Sequence, residues 1–331
     1  MDELEKYLDV AASWLFKKRK NYHHNSDSII LWVDWESKRT EMLESLQNGT
    51  YRFSERKKMI IKGEHKILFE PQDTIVLKAI SLILKPIIKE KIPNSCFHVK
   101  GNGGLKGAVK FVCSNRKEYK YMVRSDIKDF YSSMNHDVIL SQIKKYTSEP
   151  LLLDLIEQSV RGVECWDRIY FTIHKGIPYG SPLSPILAAI ALEPLDQVME
   201  NRKGLAYVRF MDDWVILTKT RFQLRKAIKC MYKAIEPLKF KIHPKKTLIG
   251  LIEKGFSFLG YYFSTELFCL AQETTDRACN KLQKLYEQHV KSTSVTEYIT
   301  RFNRWVWSGL ADTGLVYTAL TKPFYAAPQQ Y

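Results

Sequence analysis

The sequence predicts an α+β fold in which an antiparallel sheet is backed by helices, and three observations carry that prediction. Residues 207–217 read Tyr-Val-Arg-Phe-Met-Asp-Asp-Trp-Val-Ile-Leu, two apolar runs joined by an aspartate pair. Their Tyr, Val, Phe, Trp and Ile suit a pleated, half-buried surface, so the segment reads as strand, tight turn and strand. Residues 121–131 read Tyr-Met-Val-Arg-Ser-Asp-Ile-Lys-Asp-Phe-Tyr, an apolar strand ending at Asp126. Stretches near 137–146, 185–200 and 221–236 are expected to be the helices behind that sheet.

The remaining elements follow in chain order. Residues 1–19 carry Leu4, Leu8, Ala11 and Leu15 on one helical face, ending in the basic run Lys17–Lys20 before His23 and His24; the stripe is expected to pack on the protein. A strand pair is expected across Lys58–Phe69. A helix should run from Thr74 to about Lys89, with Ile75, Ala79, Ile80, Leu82, Ile83 and Leu84. The glycine-rich segment 97–107 lacks the Lys-Ser/Thr ending of a nucleotide P-loop and the strand–helix context of a dinucleotide fingerprint. Two readings stay open for it, a loop beside a bound ligand or a plain connector. In the loop 174–185, Gly176 and Gly180 let backbone approach a ligand closely. Ser184 is the expected N-cap and Pro185 the first helical residue. Helices near 274–291 and 294–310 should close the chain, with Trp305 and Trp307 in the core; His98 and His243 read as structural.

The chemistry lies in the carboxylates. Asp212 and Asp213, expected at the hairpin tip, repel each other and must shed water on folding. A hard divalent cation with oxygen ligands is the usual compensation. If the 121–126 strand lies beside the hairpin, Asp126 can face Asp212 across a metal-sized gap. The plainer readings are a turn that happens to be Asp-Asp and a strand-end or N-cap aspartate at 126.

With 331 residues the chain can bury a substantial core, more naturally in two or three subdomains than in one. Its net charge of +15 suits a polyanionic partner. The basic residues recur at 17–20, 56–58, 85–91, 106–120 and 239–246, a spread that fits a long groove better than a single patch. Six cysteines without a CxxC pair argue against a zinc site or a disulfide framework and suit a reducing cytosol. No apolar run approaches the ~18 residues that would span a bilayer, so no membrane partner is expected.

Taken together and in this order, the motifs resemble those of bacterial retroelement reverse transcriptases, especially the group II intron type and their defence-associated relatives. Asp126-Ile-Lys-Asp-Phe-Tyr131 resembles the first catalytic motif. Gly176-Ile-Pro-Tyr-Gly-Ser-Pro-Leu-Ser-Pro185 resembles the Gly-x-Pro-Gln-Gly…Leu-Ser-Pro loop, and Phe210-Met-Asp-Asp213 the Tyr-x-Asp-Asp box. Leu238–Thr247 resembles the next palm motif, Gly255–Phe263 the primer-grip hairpin, and Asn48–Arg52 with Lys66–Asp73 the fingers. The resemblance spans roughly residues 25–265. Two positions depart from the pattern: Tyr179 stands where the family has Gln, which bears on template and nucleotide alignment, and Phe210 replaces Tyr, losing a hydroxyl but keeping the ring.

The resemblance implies a right-hand polymerase fold. Residues 1–24 would form an N-terminal helix and basic linker, 25–120 the fingers, 121–265 the palm with the primer grip, and 266–331 a short helical thumb. It implies RNA-directed DNA synthesis from dNTPs, with Asp126, Asp212 and Asp213 catalytic. Those three, with the Ile127 carbonyl, would hold two Mg²⁺ ions, for which Mn²⁺ can substitute. Tyr131, Lys66, Lys62, Tyr179 and Gly180 would contact nucleotide, and Phe258, Leu259 and Gly260 the primer. RNA-dependent RNA polymerases of related layout commonly carry an acidic residue five positions after the first aspartate. Tyr131 stands there instead, an aromatic that would exclude a ribose 2′-OH. Expected partners are an RNA template, including a dedicated noncoding RNA, a DNA or RNA primer, and a partner protein or second copy. Two settings remain open. One is an intron maturase, an RNA-binding splicing factor, disfavoured because the chain ends soon after the primer-grip segment; the other is a domesticated polymerase in phage defence, copying a dedicated noncoding RNA or working with little template guidance. The Asn-Ala-x-x-His and Val-Thr-Gly hallmarks of retrons are missing.

Overall fold

The computed structural model describes residues 2–61, 64–288 and 292–310. Helix α1 (Asp2–Arg19) buries Leu4, Leu8, Ala11 and Leu15 against α4 (Pro71–Lys91), so the predicted apolar stripe is a core face. Between them lie α2 (Asp27–Val33), α3 (Trp35–Gln47) and the antiparallel hairpin β1 (Arg56–Ile61) and β2 (Glu64–Leu68). Proline opens α4, where its missing N–H costs no helical hydrogen bond.

Helix α5 (Gly104–Asn115) leads into β3 (Tyr121–Ser125), followed by α6 (Phe130–Ser133), α7 (His136–Ile143) and α8 (Pro150–Arg161). A second hairpin, β4 (Val163–Trp166) and β5 (Ile169–Thr172), comes next. β4 pairs in parallel with β1, giving the sheet order β2-β1-β4-β5. The 163–172 hairpin thus joins a sheet begun a hundred residues earlier. Only long-range pairing decides this.

The expected helix 185–200 is two helices, α9 (Ser184–Ala191) and α10 (Glu193–Glu200). Pro194 has no N–H to continue the ladder and crowds the preceding turn, which ends α9 at Leu192. Ser184 is the first residue of α9 rather than its cap; its hydroxyl donates to the Pro178 carbonyl at 2.7 Å. β6 (Leu205–Phe210) and β7 (Asp213–Thr218) form the predicted hairpin, and α11 (Arg221–Ile235) starts from a Thr220–Gln223 capping box. With β8 (Leu248–Leu251) they complete an antiparallel sheet of order β6-β7-β3-β8. Its β7 and β3 strands bury Val123, Trp214, Val215, Ile216 and Leu217.

β9 (Phe256–Phe258), β10 (Tyr261–Phe263) and β11 (Phe268–Leu270) form a third small sheet. It packs with α5 and α13 (Ser292–Leu310) around a second core containing Phe258, Tyr261, Phe263 and Val306, and α12 (Gln272–Glu287) packs on α13. Trp305 packs against that core as expected, whereas Trp307 is about half exposed on α13. Among the described residues no helix is long and apolar enough to cross a membrane.

Candidate active site

The β3–β7 register sets the geometry. Its last pair is Ser125 with Trp214, and one step beyond stand Asp126 and Asp213. Phe210 pairs with Asp213, so the tip of the β6–β7 hairpin is Met211-Asp212 and Asp213 opens β7; the expected Asp-Asp tip is shifted by one residue. Asp126 is buried. Its Oδ2 accepts a hydrogen bond from Lys246 Nζ at 2.6 Å, while Oδ1 has no hydrogen-bond partner. Arg124 donates to both oxygens of Asp213 at 3.2 and 3.3 Å. Burial, reinforced by the Asp126 charge, holds the Asp212 carboxyl above the usual carboxylate range. Burial pushes Asp213 to about 6 even against the opposing pull of Arg124.

The three aspartates share one end of the sheet, but among the described residues no three His, Cys, Asp or Glu side chains converge as a ready-made metal cage. Like charges at short range repel, so Asp126 turns to Lys246 and Asp213 to Arg124. The residues nonetheless fit a hard cation. Asp126 Oδ1 is a buried acceptor lacking a donor, and burial, with the neighbouring carboxylates, raises the Asp212 and Asp213 carboxyls. Ile127 lies beside them in a bridge to Ile242. The hydrogen bonds of that bridge use Asp126 O and Lys128 N, and so leave the Ile127 carbonyl out of the ladder.

In front of Asp212 opens a cavity of about 640 Å³. Ile127, Tyr131 and Tyr179 line it on the aspartate side, and Arg56, Lys58, Lys175 and Lys246 supply its positive charge. The Tyr131 and Tyr179 rings meet at a tilt, with centroids 4.6 Å apart and an interplanar angle of 34°. Main-chain bonds hold the two in place: Ile177 N–H donates to Tyr131 O at 2.8 Å and Gly176 N–H to Met134 O at 2.7 Å. Position 176 must be glycine for this approach, since its φ is 93° and a Cβ would sit 3.0 Å from the Ser132 backbone. Gly180 is exposed and lies outside the cavity lining, near the Ile67 carbonyl. Of the expected fingers lysines, Lys62 lies outside the described residues. Lys66 pairs with Met59, one step out of phase with the Lys58–Ile67 pair whose members line the cavity.

At the expected primer grip, Phe258 is fully buried core, and the Leu259–Gly260 turn between β9 and β10 is what reaches a surface. With Arg277, Tyr298 and Trp305 that turn lines a second hollow of about 410 Å³. A Cβ at Gly260 would meet Trp305 at 2.8 Å, so glycine lets the turn dock on α13. The sequence reading missed Lys246, Arg124, Arg56, Lys58 and Lys175. Lys246, Lys58 and Arg56 sit in the basic runs 239–246 and 56–58, but nothing local separates a cation aimed at the site from a solvated one.

Behind the turn, Arg209 and Asp196 form a fully buried ion pair. Arg209 Nε donates to Asp196 Oδ1 at 2.6 Å, and Tyr207 donates to the same oxygen at 2.8 Å. Asp196→Ala leaves a buried guanidinium without its counter-charge, and is expected to cost about 3–5 kcal/mol of stability. Thermal and urea melts check this; a variant melting like wild type would show the pair to be dispensable.

Residues 56–263 match a sequence model of the family described as Reverse transcriptase (RNA-dependent DNA polymerase). A protein encoded in the cob intron of Schizosaccharomyces pombe, described as an uncharacterized 91 kDa protein, is 23% identical over 169 residues, covering 50% of this chain and 21% of that protein. The group II intron-encoded protein LtrA of Lactococcus lactis is 24% identical over 176 residues, 51% of this chain and 29% of its own length. The chain thus spans well under two thirds of these relatives. Among solved structures, telomerase from Candida albicans, in complex with a TWJ fragment of telomeric RNA, aligns with a TM-score of 0.54 at 12% identity. The alignment covers 86% of this chain and 58% of that one. The likeness shows a right-hand polymerase fold.

Proposed function

From a chain that belongs to the reverse transcriptase (RNA-dependent DNA polymerase) family, we propose RNA-directed DNA synthesis: addition of dNTPs to a primer 3′ end at the Asp126–Asp212–Asp213 site. The observation that carries the reading is the cavity itself: Asp212 stands in its wall beside the buried Asp126, and Arg56, Lys58, Lys175 and Lys246 outnumber the other acidic lining residues, Asp129 and Glu164. That polarity suits a triphosphate whose charge must be neutralised while it is held for in-line displacement. Two Mg²⁺ ions, held by Asp126, Asp212, Asp213 and the Ile127 carbonyl, would supply the charge that stabilises the attacking and leaving oxygens. This chain's own residues do the positioning. Lys58, Arg56 and Lys175 meet the phosphates, Tyr131 and Tyr179 bound the sugar and base, and the Leu259–Gly260 turn guides the primer. Arg124 and Lys246 restrain the carboxylates between turnovers.

In this reading residues 25–120, together with the 163–172 hairpin, serve as fingers, the rest of 121–265 as palm, and the helices after 266 as thumb. Primer extension with an RNA template, dNTPs and Mg²⁺ tests the activity, with template omitted in a parallel reaction. Equal extension with the template omitted would replace the proposal with untemplated synthesis. The intron-encoded relatives support a retroelement origin. A dedicated noncoding RNA template and a role in phage defence are the proposed setting, and sequencing the nucleic acid that copurifies with the protein tests it. Recovery of intron RNA would move the reading to a maturase.

The net charge of +15 supports RNA binding through phosphate contacts. Affinity is expected to fall linearly on a log–log plot against salt, by ~0.7–0.9 per phosphate neutralised. Filter binding across a salt series measures the slope. A flat response would mean the positive charge serves another purpose.

A further inference from the structure

The residue before Asp212 is held in an unusual conformation from both sides. Met211 has φ of 58°, a left-handed backbone that side chains other than Gly, Asn and Asp seldom adopt. Its N–H donates to His98 Nδ1 at 3.0 Å, and its carbonyl accepts from Arg209 Nη1 at 2.8 Å. A backbone N–H can only donate, so Nδ1 must be the unprotonated nitrogen and His98 the neutral Nε2–H tautomer. Burial, joined by the Arg209 charge, holds His98 down at about 3, in keeping with a neutral ring.

Neither partner is a loose surface contact. Arg209 is fully buried on Asp196. His98 ends a short segment that runs parallel to the end of β6: Arg209 N–H donates to Ser95 O, and Phe97 N–H to Arg209 O, both at 2.8 Å. Asn102 ties the following loop back by donating to Cys96 O at 3.1 Å. The glycine-rich stretch 97–107 thus braces the hairpin from behind and contributes no residue to the cavity lining.

We infer that His98 and Arg209 are positioning residues that clamp Met211 in its left-handed conformation and so aim the Asp212 carboxylate into the cavity. A relaxed Met211 would rotate the next residue, and a ligand displaced by a fraction of an ångström is enough to impair metal-dependent chemistry. This role rests on the reading of Asp212 as a cation-binding carboxylate of the polymerase.

The test compares His98→Leu, which removes the acceptor, with His98→Asn, whose amide oxygen can take the place of Nδ1. Asp212→Asn runs alongside. Single-nucleotide incorporation, Mn²⁺ binding by electron paramagnetic resonance without nucleotide, template–primer affinity and melting temperature are read for each. His98→Leu is expected to lower kcat by about tenfold or more and to weaken Mn²⁺ binding, with template–primer affinity unchanged. His98→Asn should restore most of both. If His98→Leu does not fold, His98→Gln takes its place, since its longer amide overshoots the Nδ1 position. Wild-type kcat and Mn²⁺ binding in the Leu variant, or in the Gln variant used in its place, overturn the inference. So does an Asn variant as impaired as the Leu or Gln variant at equal melting temperature. Activity in Asp212→Asn would instead overturn the underlying reading of the site.

Discussion

Asp212→Asn is expected to abolish nucleotide incorporation while leaving melting temperature and RNA affinity close to wild type. The side chain sits at the tip of the β6–β7 hairpin, faces the cavity, and carries a charge that burial and Asp126 both disfavour. Removing that charge relieves repulsion in the free protein, so folding should not suffer. It also removes one of the few groups able to balance cation charge at the reacting phosphate. The loss should be on the order of 10²–10³-fold or more, the scale seen when one preorganised electrostatic contact to a transition state is deleted. Steady-state primer extension with Mg²⁺, beside a melting curve and filter binding, decides the matter. Substantial synthesis by the variant would sink the assignment of Asp212; inactivity with a collapsed melting temperature would make it structural.

Shortening Tyr131 to Ala or Val should relax sugar choice chiefly by improving rNTP use. Tyr131 lines the cavity with Asp212, is half-buried, and meets the Tyr179 ring at a tilt. Burial raises its phenol well above the ordinary value, with lesser contributions from Tyr179 and Asp212, so the ring is neutral and acts by bulk. The contact between the 176–177 loop and residue 131 is made through main-chain atoms, so truncation leaves that attachment in place. A clash removed by truncation should change the ratio of kcat/KM for dNTP over rNTP by at least about tenfold, or ~1.4 kcal/mol. Single-nucleotide kinetics with matched dNTP and rNTP, alongside a melt, separates a sugar gate from a core aromatic. An unchanged ratio in a well-folded variant would remove Tyr131 as the gate, whereas both activities falling together with stability would mark it as packing.

What the sequence determined by itself is whatever depends on neighbours a few positions apart. The period of Leu4, Leu8, Ala11 and Leu15 foretold a buried helix face, and the Asp212–Asp213 adjacency between strand-forming runs foretold a hairpin with a charge problem. The order of three motifs resembling one family located Asp126, Asp212, Tyr131 and Tyr179, which the structure does bring to one end of a sheet or one cavity wall. The break before Pro194 is likewise a local matter, set by the missing N–H within an otherwise continuous apolar run.

The tertiary structure decided everything that rests on pairing across long separations. Which lysines turn toward the cavity follows from strand register, because a one-residue step exchanges the two faces of a strand; hence Lys58, and not its neighbours, lines the cavity. The union of the 163–172 hairpin with β1, the Lys246 bond to Asp126 and the His98 bond to Met211 each join segments about a hundred residues apart. No local propensity encodes them. Such contacts are made by burial of apolar surface from the whole chain, and the polar groups drawn inside must then find partners wherever the fold has placed them.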